Sequence, residues 1–113
     1  MSLRFRDYLV TVIVMSWLLD EIGLKRLTDE EREYLENVAS DTIFNRVIKR
    51  VAGRFDSEQL ESIRRLFEDG DEVEIAQFLR SHQLNLDELI EQELESYREE
   101  MSMAKVMLLN ENG

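Results

Sequence analysis

The feature that most constrains this chain is an apolar run over residues 8–19, in which ten of the twelve side chains are hydrophobic. It contains Trp17, the only tryptophan, in a protein whose residues are 35% charged. Apolar positions lie almost all around a helix drawn through the run, and such a helix is either central or shared with a second molecule. β-Branched residues would also suit a strand. No second strand candidate exists to pair with it, so we predict a helix over residues 3–22 with Gly23 as its left-handed C-cap.

The same run is short for a membrane-spanning helix, which needs about 20 apolar residues. Asp20 and Glu21 follow it directly, where a secretory signal would carry small residues at a cleavage site. We expect a buried helix or a helix–helix interface in a cytoplasmic protein. A membrane-associated anchor and a signal-like segment are the alternatives.

Composition indicates an all-α fold. The chain has 113 residues, which suits a single domain over residues 1–113, and it has no proline and only four glycines to interrupt helices. There is no cysteine, so disulfides, thiolate nucleophiles and cysteine-based metal sites are excluded. We predict a single-domain orthogonal or bundle-like array of five or six helices.

The chain is strongly acidic, with a formal net charge of −11 from 25 acidic and 14 basic residues. This balance disfavours direct binding to nucleic acid or to anionic membranes. The acidity either solvates the surface or serves a basic partner. One segment is basic and contains Arg46, Lys49, Arg50 and Arg54. It either forms an anion-binding patch or pairs with the protein's own acidic helices. No aromatic residues are interleaved with its cations as stacking platforms, which favours internal pairing.

Helix starts are marked by capping boxes, in which the cap residue is followed three positions later by glutamate or glutamine. Three such boxes are present: Thr28 with Glu31, Asp56 with Gln59, and Asn85 with Glu88. Asp71 predicts a further start. After Thr28 the apolar face shifts near residues 40–42, whose Ser-Asp-Thr sequence is typical of N-caps. We predict a break or kink there; the alternative is one helix that passes between two different neighbours.

The last helix is predicted over residues 86–109, as a long amphipathic partner for the first helix that could project from the domain. Its apolar residues follow a heptad spacing of four and three: Ile90, Leu94, Tyr97, Met101, Ala104 and Leu108. In a parallel dimer, Glu93 and Glu100 would face Arg98 and Lys105 of the other copy. The stripe either packs on this chain's own first helix or forms an intermolecular seam.

Chemistry-bearing motifs are missing from the sequence. There is no glycine-rich phosphate loop, nucleophile motif or useful histidine–carboxylate pair. His82, the only histidine, is expected to have a structural role at a helix end. Glu91 and Glu95 are one turn apart, as surface carboxylates often are. The acidic corner at residues 68–72 lacks the ligand spacing of an EF-hand. We therefore predict no catalytic residue, cofactor, metal site or small-molecule substrate, and no enzymatic activity.

Parts of the sequence resemble a known family. The resembling stretches are residues 18–24, 42–47, 59–70 with the Asp71-Glu72 corner that follows, and 89–94. Over residues 18–101 the chain resembles short acidic all-helical bacterial proteins known only as a domain of unknown function. The resemblance implies a small helical fold and no activity or catalytic residues.

We therefore expect a non-enzymatic protein–protein interaction protein, an assembly subunit or adaptor, with a protein partner or self-association, including a homodimer. Docking would use the apolar N-terminal helix and the seam of the C-terminal helix. The alternative is an acidic phage-type inhibitor or nucleic-acid mimic that binds a basic partner protein. The predicted interface residues are Val10, Val14, Trp17, Leu94, Tyr97, Met101 and Leu108.

Overall fold

The computed structural model describes residues 3–24 and 26–112, with side chains described as far as Ala104. These residues form helices and no strand, which confirms the all-α prediction. The helices are α1 (Phe5–Met15), α2 (Leu18–Glu21), α3 (Asp29–Ala52), α4 (Ser57–Asp69), α5 (Glu72–Ser81) and α6 (Leu86–Asn112).

The centre of the fold is α3, on which α1, α2, α4 and α6 all pack. Phe5 of α1 lies where α3 and α4 meet: its ring centroid is 5.6 Å from that of Phe44 and 5.3 Å from that of Phe67. The Phe5 and Phe67 rings meet nearly edge to face, at 82°, which is a favoured aromatic geometry. All three rings are almost fully buried, so α1 supplies part of the central core.

The predicted single helix over residues 3–22 is wrong, because the chain turns at Trp17. This residue has φ 57° and ψ 31°, a left-handed conformation that ends α1 and begins α2. In an unbroken helix Leu18 would lie about 140° around the axis from Ile13. The turn instead buries both side chains in the core. Gly23 takes φ 90° after α2, as the predicted left-handed cap.

The first helix is not buried all round, as a central helix would be. One face of α1 is buried, through Phe5, Leu9 and Ile13, and the opposite face reaches solvent. Val14 is 46% exposed and Met15 is 74% exposed. Helix α1 therefore lies on the side of α3 and keeps part of its apolar surface free.

The predicted break at residues 40–42 is wrong, since α3 is one uninterrupted helix over Asp29–Ala52. Each of the three residues is accommodated in the helix, two through a side-chain hydrogen bond and one through burial. The Thr42 hydroxyl donates to the Val38 carbonyl at 2.9 Å, Asp41 accepts from Arg6 at 2.9 Å, and Ser40 is buried. The shift of the apolar face reflects a change of neighbours along one helix, which was the alternative.

The predicted helix starts are confirmed. The Thr28 box is complete: the Glu31 N–H donates to Thr28 Oγ1 and the Thr28 N–H donates to Glu31 Oε1, both at 3.1 Å. These hydrogen bonds with Thr28 lower the pKa of the Glu31 carboxyl. The other starts are marked by three hydrogen bonds: Asp56 N–H to Gln59 Oε1 at 3.3 Å, Glu74 N–H to Asp71 Oδ1 at 2.8 Å and Glu88 N–H to Asn85 Oδ1 at 3.1 Å.

A candidate interaction surface

The most exposed apolar feature near the first helix is the turn between α1 and α2. Val14, Met15 and Trp17 are 46%, 74% and 66% exposed, and we call these three residues the apolar corner. The left-handed backbone of Trp17 turns its indole away from the core, while Leu18 beside it is fully buried. The Ser16 hydroxyl donates to the Ile13 carbonyl at 2.7 Å, which satisfies a carbonyl in the last turn of α1.

A cleft of about 420 Å³ lies between α1 and α6, and Ser16, the residue before Trp17, is among those that line it. Among the described residues, no Cα atom of α1 is within 8 Å of a Cα atom of α6. Tyr8 and Asp87 join the two helices at one end, and Glu21 and Arg98 join α2 to α6 at the other. The helices therefore run in the same direction. The cleft is lined by Tyr8, Val12, Ser16, Asp87, Ile90, Glu91 and Leu94.

The charge of the cleft is negative. Its lining includes the carboxylates of Asp87 and Glu91 and no arginine or lysine. The Tyr8 hydroxyl donates to Asp87 Oδ1 at 3.1 Å. Burial raises the pKa of Tyr8, and the hydrogen bond to Asp87 and the charges of Asp87 and Glu72 raise it further. Tyr8 therefore stays protonated at neutral pH and keeps Asp87 at the end of the cleft.

The predicted interface residues do not all lie on this surface. Val14 and Trp17 are exposed in the apolar corner, whereas Val10 and Met101 are half-buried. The structure places Leu94 and Tyr97 in the chain's own core, at 7% and 8% exposure, with Leu94 also at the floor of the cleft. Leu108 lies outside the described side chains.

The charged residues of the heptad pair within the chain. Glu93 lies 2.8 Å from Arg50 and Glu100 lies 2.7 Å from Arg46, so α3 supplies the cations that a second copy would have contributed. Arg98 lies 2.6 Å from Glu21 of α2. Lys105 lies outside the described side chains. Arg46 and Arg50 of the basic segment thus pair with the protein's own acidic helix α6, as favoured from the sequence.

The remaining candidate groups have structural neighbours. The His82 ring packs 4.9 Å from Phe55 and 4.8 Å from Phe78, beside an open groove of about 380 Å³ between α4 and α5. In the acidic corner Asp71 caps α5. Over residues 3–24 and 26–112 no cluster of three or more acidic or histidine side chains could hold a metal. Within that same part, no helix has both the length and the apolarity needed to cross a membrane.

Comparison with family models identifies the family. Residues 18–101 match the family described as "Protein of unknown function (DUF5663)". The chain belongs to this family. No curated protein and no solved structure matches the chain. The match includes α2 to α5 and most of α6 and omits α1, so it contains only one wall of the cleft.

Sequence reasoning missed the polar contact that defines this surface. Tyr8 and Asp87 are far apart in the chain, and neither stands out in its own helix. The heptad pattern identified Leu94, which lies on the floor of the cleft. The neighbour predicted for it was an unbroken first helix, and that prediction was wrong. A signal for the corner was present, because Met15 and Trp17 extend the apolar run beyond the face set by Leu9 and Ile13.

Proposed function

We propose that this DUF5663 protein is a non-enzymatic interaction protein, an assembly subunit or adaptor, that docks onto another protein through the apolar corner. The exposure of Val14, Met15 and Trp17 at one turn carries the proposal. Scattered apolar residues are normal on protein surfaces, whereas adjoining ones indicate an interaction site. Tryptophan is also the residue type most enriched at energetic centres of interfaces.

Charge favours a different protein over a second copy as the partner. Two chains of net charge −11 repel each other, and this repulsion opposes association of the exposed corners. The residues that would have paired across a dimer seam, Glu93 and Glu100, are already paired with α3. The proposal includes a cytoplasmic location, which fractionation of cells that express the tagged chain would test.

Selection from a displayed library of random peptides tests the function and does not require the natural partner to be identified first. The wild-type chain is the bait, and the double variant Val14→Asp/Trp17→Ser is the counter-selection bait. Both positions are exposed, so the variant should fold with the same circular dichroism spectrum and melting temperature as the wild type. We expect enriched peptides to bind the wild type at least ten-fold more tightly than the variant, because a hot-spot side chain contributes more than about 1.4 kcal/mol.

Two results would overturn the proposal. One is a failure to enrich any peptide that distinguishes the two baits. The other is a wild-type chain that sediments as a dimer and becomes a monomer in the double variant, since the corner would then join two copies. Asp7→Ser is a matched control, because it changes an exposed residue of α1 outside the corner and the cleft lining.

A further inference from the structure

We propose that the partner element is a basic amphipathic α-helix, which lies in the cleft between α1 and α6 and extends onto the apolar corner. The inference rests on the proposed function and names the chemistry of the partner. Nothing in the family description assigns this surface.

The shape of the cleft suits a helix. Helices α1 and α6 run side by side in the same direction, and the described part of the chain leaves the space between their outer surfaces open. An amphipathic helix that places one apolar face in such a groove is a recurring mode of recognition. From Tyr8 to Ser16 the α1 wall is about 12 Å long at 1.5 Å per residue, or roughly two helical turns. Trp17 follows Ser16 at the end of this wall.

The apolar contacts are distributed to match one face of a helix. The floor of the cleft consists of Val12, Ile90 and Leu94. Ser16 lines the cleft, and the exposed Trp17 follows it in the chain. A bound helix can therefore rest aliphatic side chains on the floor and cover the indole of Trp17 with its end.

The charges determine which helix fits. Asp87 and Glu91 line the α6 wall, one turn apart, and no cation lines the cleft to neutralise them. Among the described residues Glu91 has no ion pair. Lysine or arginine on the flank of a bound helix would lie against these carboxylates, whereas glutamate would be repelled.

A second carboxylate position adjoins the cleft beyond the Tyr8–Asp87 hydrogen bond. Glu72 Oε2 is buried there and accepts no hydrogen bond. It lies in a hollow of about 330 Å³ whose walls include Val73 and Leu86. Arg80 and Asp87 line the same hollow, so Arg80 offsets part of the negative charge of Asp87 and Glu72. Glu91 lies outside this hollow and is the carboxylate of the cleft that most favours a cation.

The test uses designed peptides and the fluorescence of Trp17, the only tryptophan of the chain. The probe is a peptide of about 15 residues, roughly 22 Å as a helix, with leucines on one face and lysines on both flanks. One control peptide has glutamate in place of every lysine, and another has the lysine composition in scrambled order. We expect the lysine helix to shift Trp17 emission to the blue, saturably and more weakly at high salt. The glutamate and scrambled peptides should produce no saturable shift.

Matched protein variants locate the bound helix. Glu91→Lys reverses a charge in the cleft, and Glu99→Lys makes the same change at an exposed position of α6 outside the cleft lining. We expect the first to weaken binding of the lysine helix about five-fold and the second less than two-fold, since exposed pairs contribute up to about 1 kcal/mol. Equal weakening by both variants would show attraction to the whole acidic chain and would overturn the inference.

The outcomes separate this inference from the proposed function. If uncharged or acidic amphipathic helices bind at the corner as tightly as the lysine helix, the docking function stands and the basic chemistry is wrong. If no helix binds but library selection yields extended peptides that require Trp17, the helical occupant is wrong. If neither experiment yields a ligand that depends on Trp17, the proposed function itself fails.

Discussion

At the scale of single residues, the conformation of Trp17 has a measurable consequence. A non-glycine residue in the left-handed region is strained by roughly 1–2 kcal/mol, and glycine adopts it without that strain. The side chain of Trp17 is largely in solvent, so its removal forfeits little burial. Tryptophan at this position is therefore poorly explained by the stability of the isolated chain.

We predict that Trp17→Gly is more stable than Trp17→Ala by about 1 kcal/mol, because alanine retains the strain and glycine relieves it. Urea unfolding followed by circular dichroism measures the difference. Gln83→Gly compared with Gln83→Ala is a matched control, since Gln83 has φ 63° after α5. Equal stability of the glycine and alanine variants at both sites would show that these backbone conformations relax in solution.

Two tyrosines make stability sensitive to alkaline pH. Burial raises the pKa of Tyr8, and its hydrogen bond to Asp87 adds to this effect. Burial also raises the pKa of Tyr97, with the charge of Arg46 opposing the shift and that of Glu100 supporting it.

When folding raises the pKa of a phenol, the protonated phenol contributes to stability. This contribution is complete below the pKa of the unfolded state, about 10, and is lost as the pH rises through the pKa of the folded state. We therefore expect the unfolding free energy to fall as the pH rises above about 10. Tyr8→Phe and Tyr97→Phe should each make this fall shallower in urea titrations. A fall equally steep in the double variant would assign it to other groups.

At the scale of elements, the contact between α3 and α6 depends on one buried charge. Glu93 is 5% exposed, and Arg50 contacts it at 2.8 Å while also donating to Gln92 Oε1 at 2.6 Å. Removal of the cation from a buried pair leaves a carboxylate without compensation, which is more destabilising than removal of both partners.

We predict that Arg50→Met lowers the unfolding free energy by about 2 kcal/mol and that Arg50→Met/Glu93→Leu restores most of it. Arg46→Met is the matched control on the same helix. Its partner Glu100 has a side chain 57% exposed, so the loss should be below about 1 kcal/mol. Denaturant unfolding of all three variants gives the comparison. A double variant less stable than Arg50→Met would show that the loss does not come from the buried Glu93 carboxylate.

The starts of α3, α4, α5 and α6 were predictable because each is marked by two residues, three positions apart in the chain, that form a capping hydrogen bond. The box of Thr28 and Glu31 and the cap of Asp71 lie where their local spacing indicated. The turn at Trp17 was not predicted, because Ser16 is the one cap-type residue beside it and the apolar run continues on both sides. The chain turns there to bury Leu18, and that gain depends on where α3 lies.

The candidate surface was predictable only in part. The apolar run has more apolar positions than one face of a helix holds, and this excess identified Val14 and Trp17 as interface residues. The heptad spacing that nominated Leu94 and Tyr97 is equally compatible with internal and intermolecular packing, because the same stripe suits both. Only the position of α3, which offers Arg46 and Arg50 to α6, distinguishes the two within this chain.

At the scale of the whole molecule, the family match and the folding unit differ in extent. The match begins at Leu18, yet Phe5, Leu9 and Ile13 of α1 are almost completely buried. At the other end, the last buried side chain among those described in α6 is Tyr97, and Met101 only packs against the core.

We predict that removal of residues 2–16 abolishes cooperative unfolding, whereas Met103→Ser, at a position of α6 that is 66% exposed, changes the unfolding free energy by less than about 0.5 kcal/mol. Loss of a single large core side chain costs about 2–5 kcal/mol, and α1 supplies three such side chains to a domain whose total stability is near 5–15 kcal/mol. Calorimetry of the truncated chain and of the Met103→Ser variant measures both effects. A sharp transition in the chain without α1 would show that residues 17–113 fold independently.

The backbone contacts at the start of α1 also bear on how the protein is made. The Phe5 N–H donates to the Gly70 carbonyl at 3.3 Å, and the Glu72 N–H donates to the Leu3 carbonyl at 3.0 Å. Helix α1 leaves the ribosome before helices α2 to α6, but these two hydrogen bonds cannot form until the corner between α4 and α5 has emerged. The nascent chain therefore carries its most apolar segment without them while α3 and α4 are being made, an interval in which a chaperone can bind it.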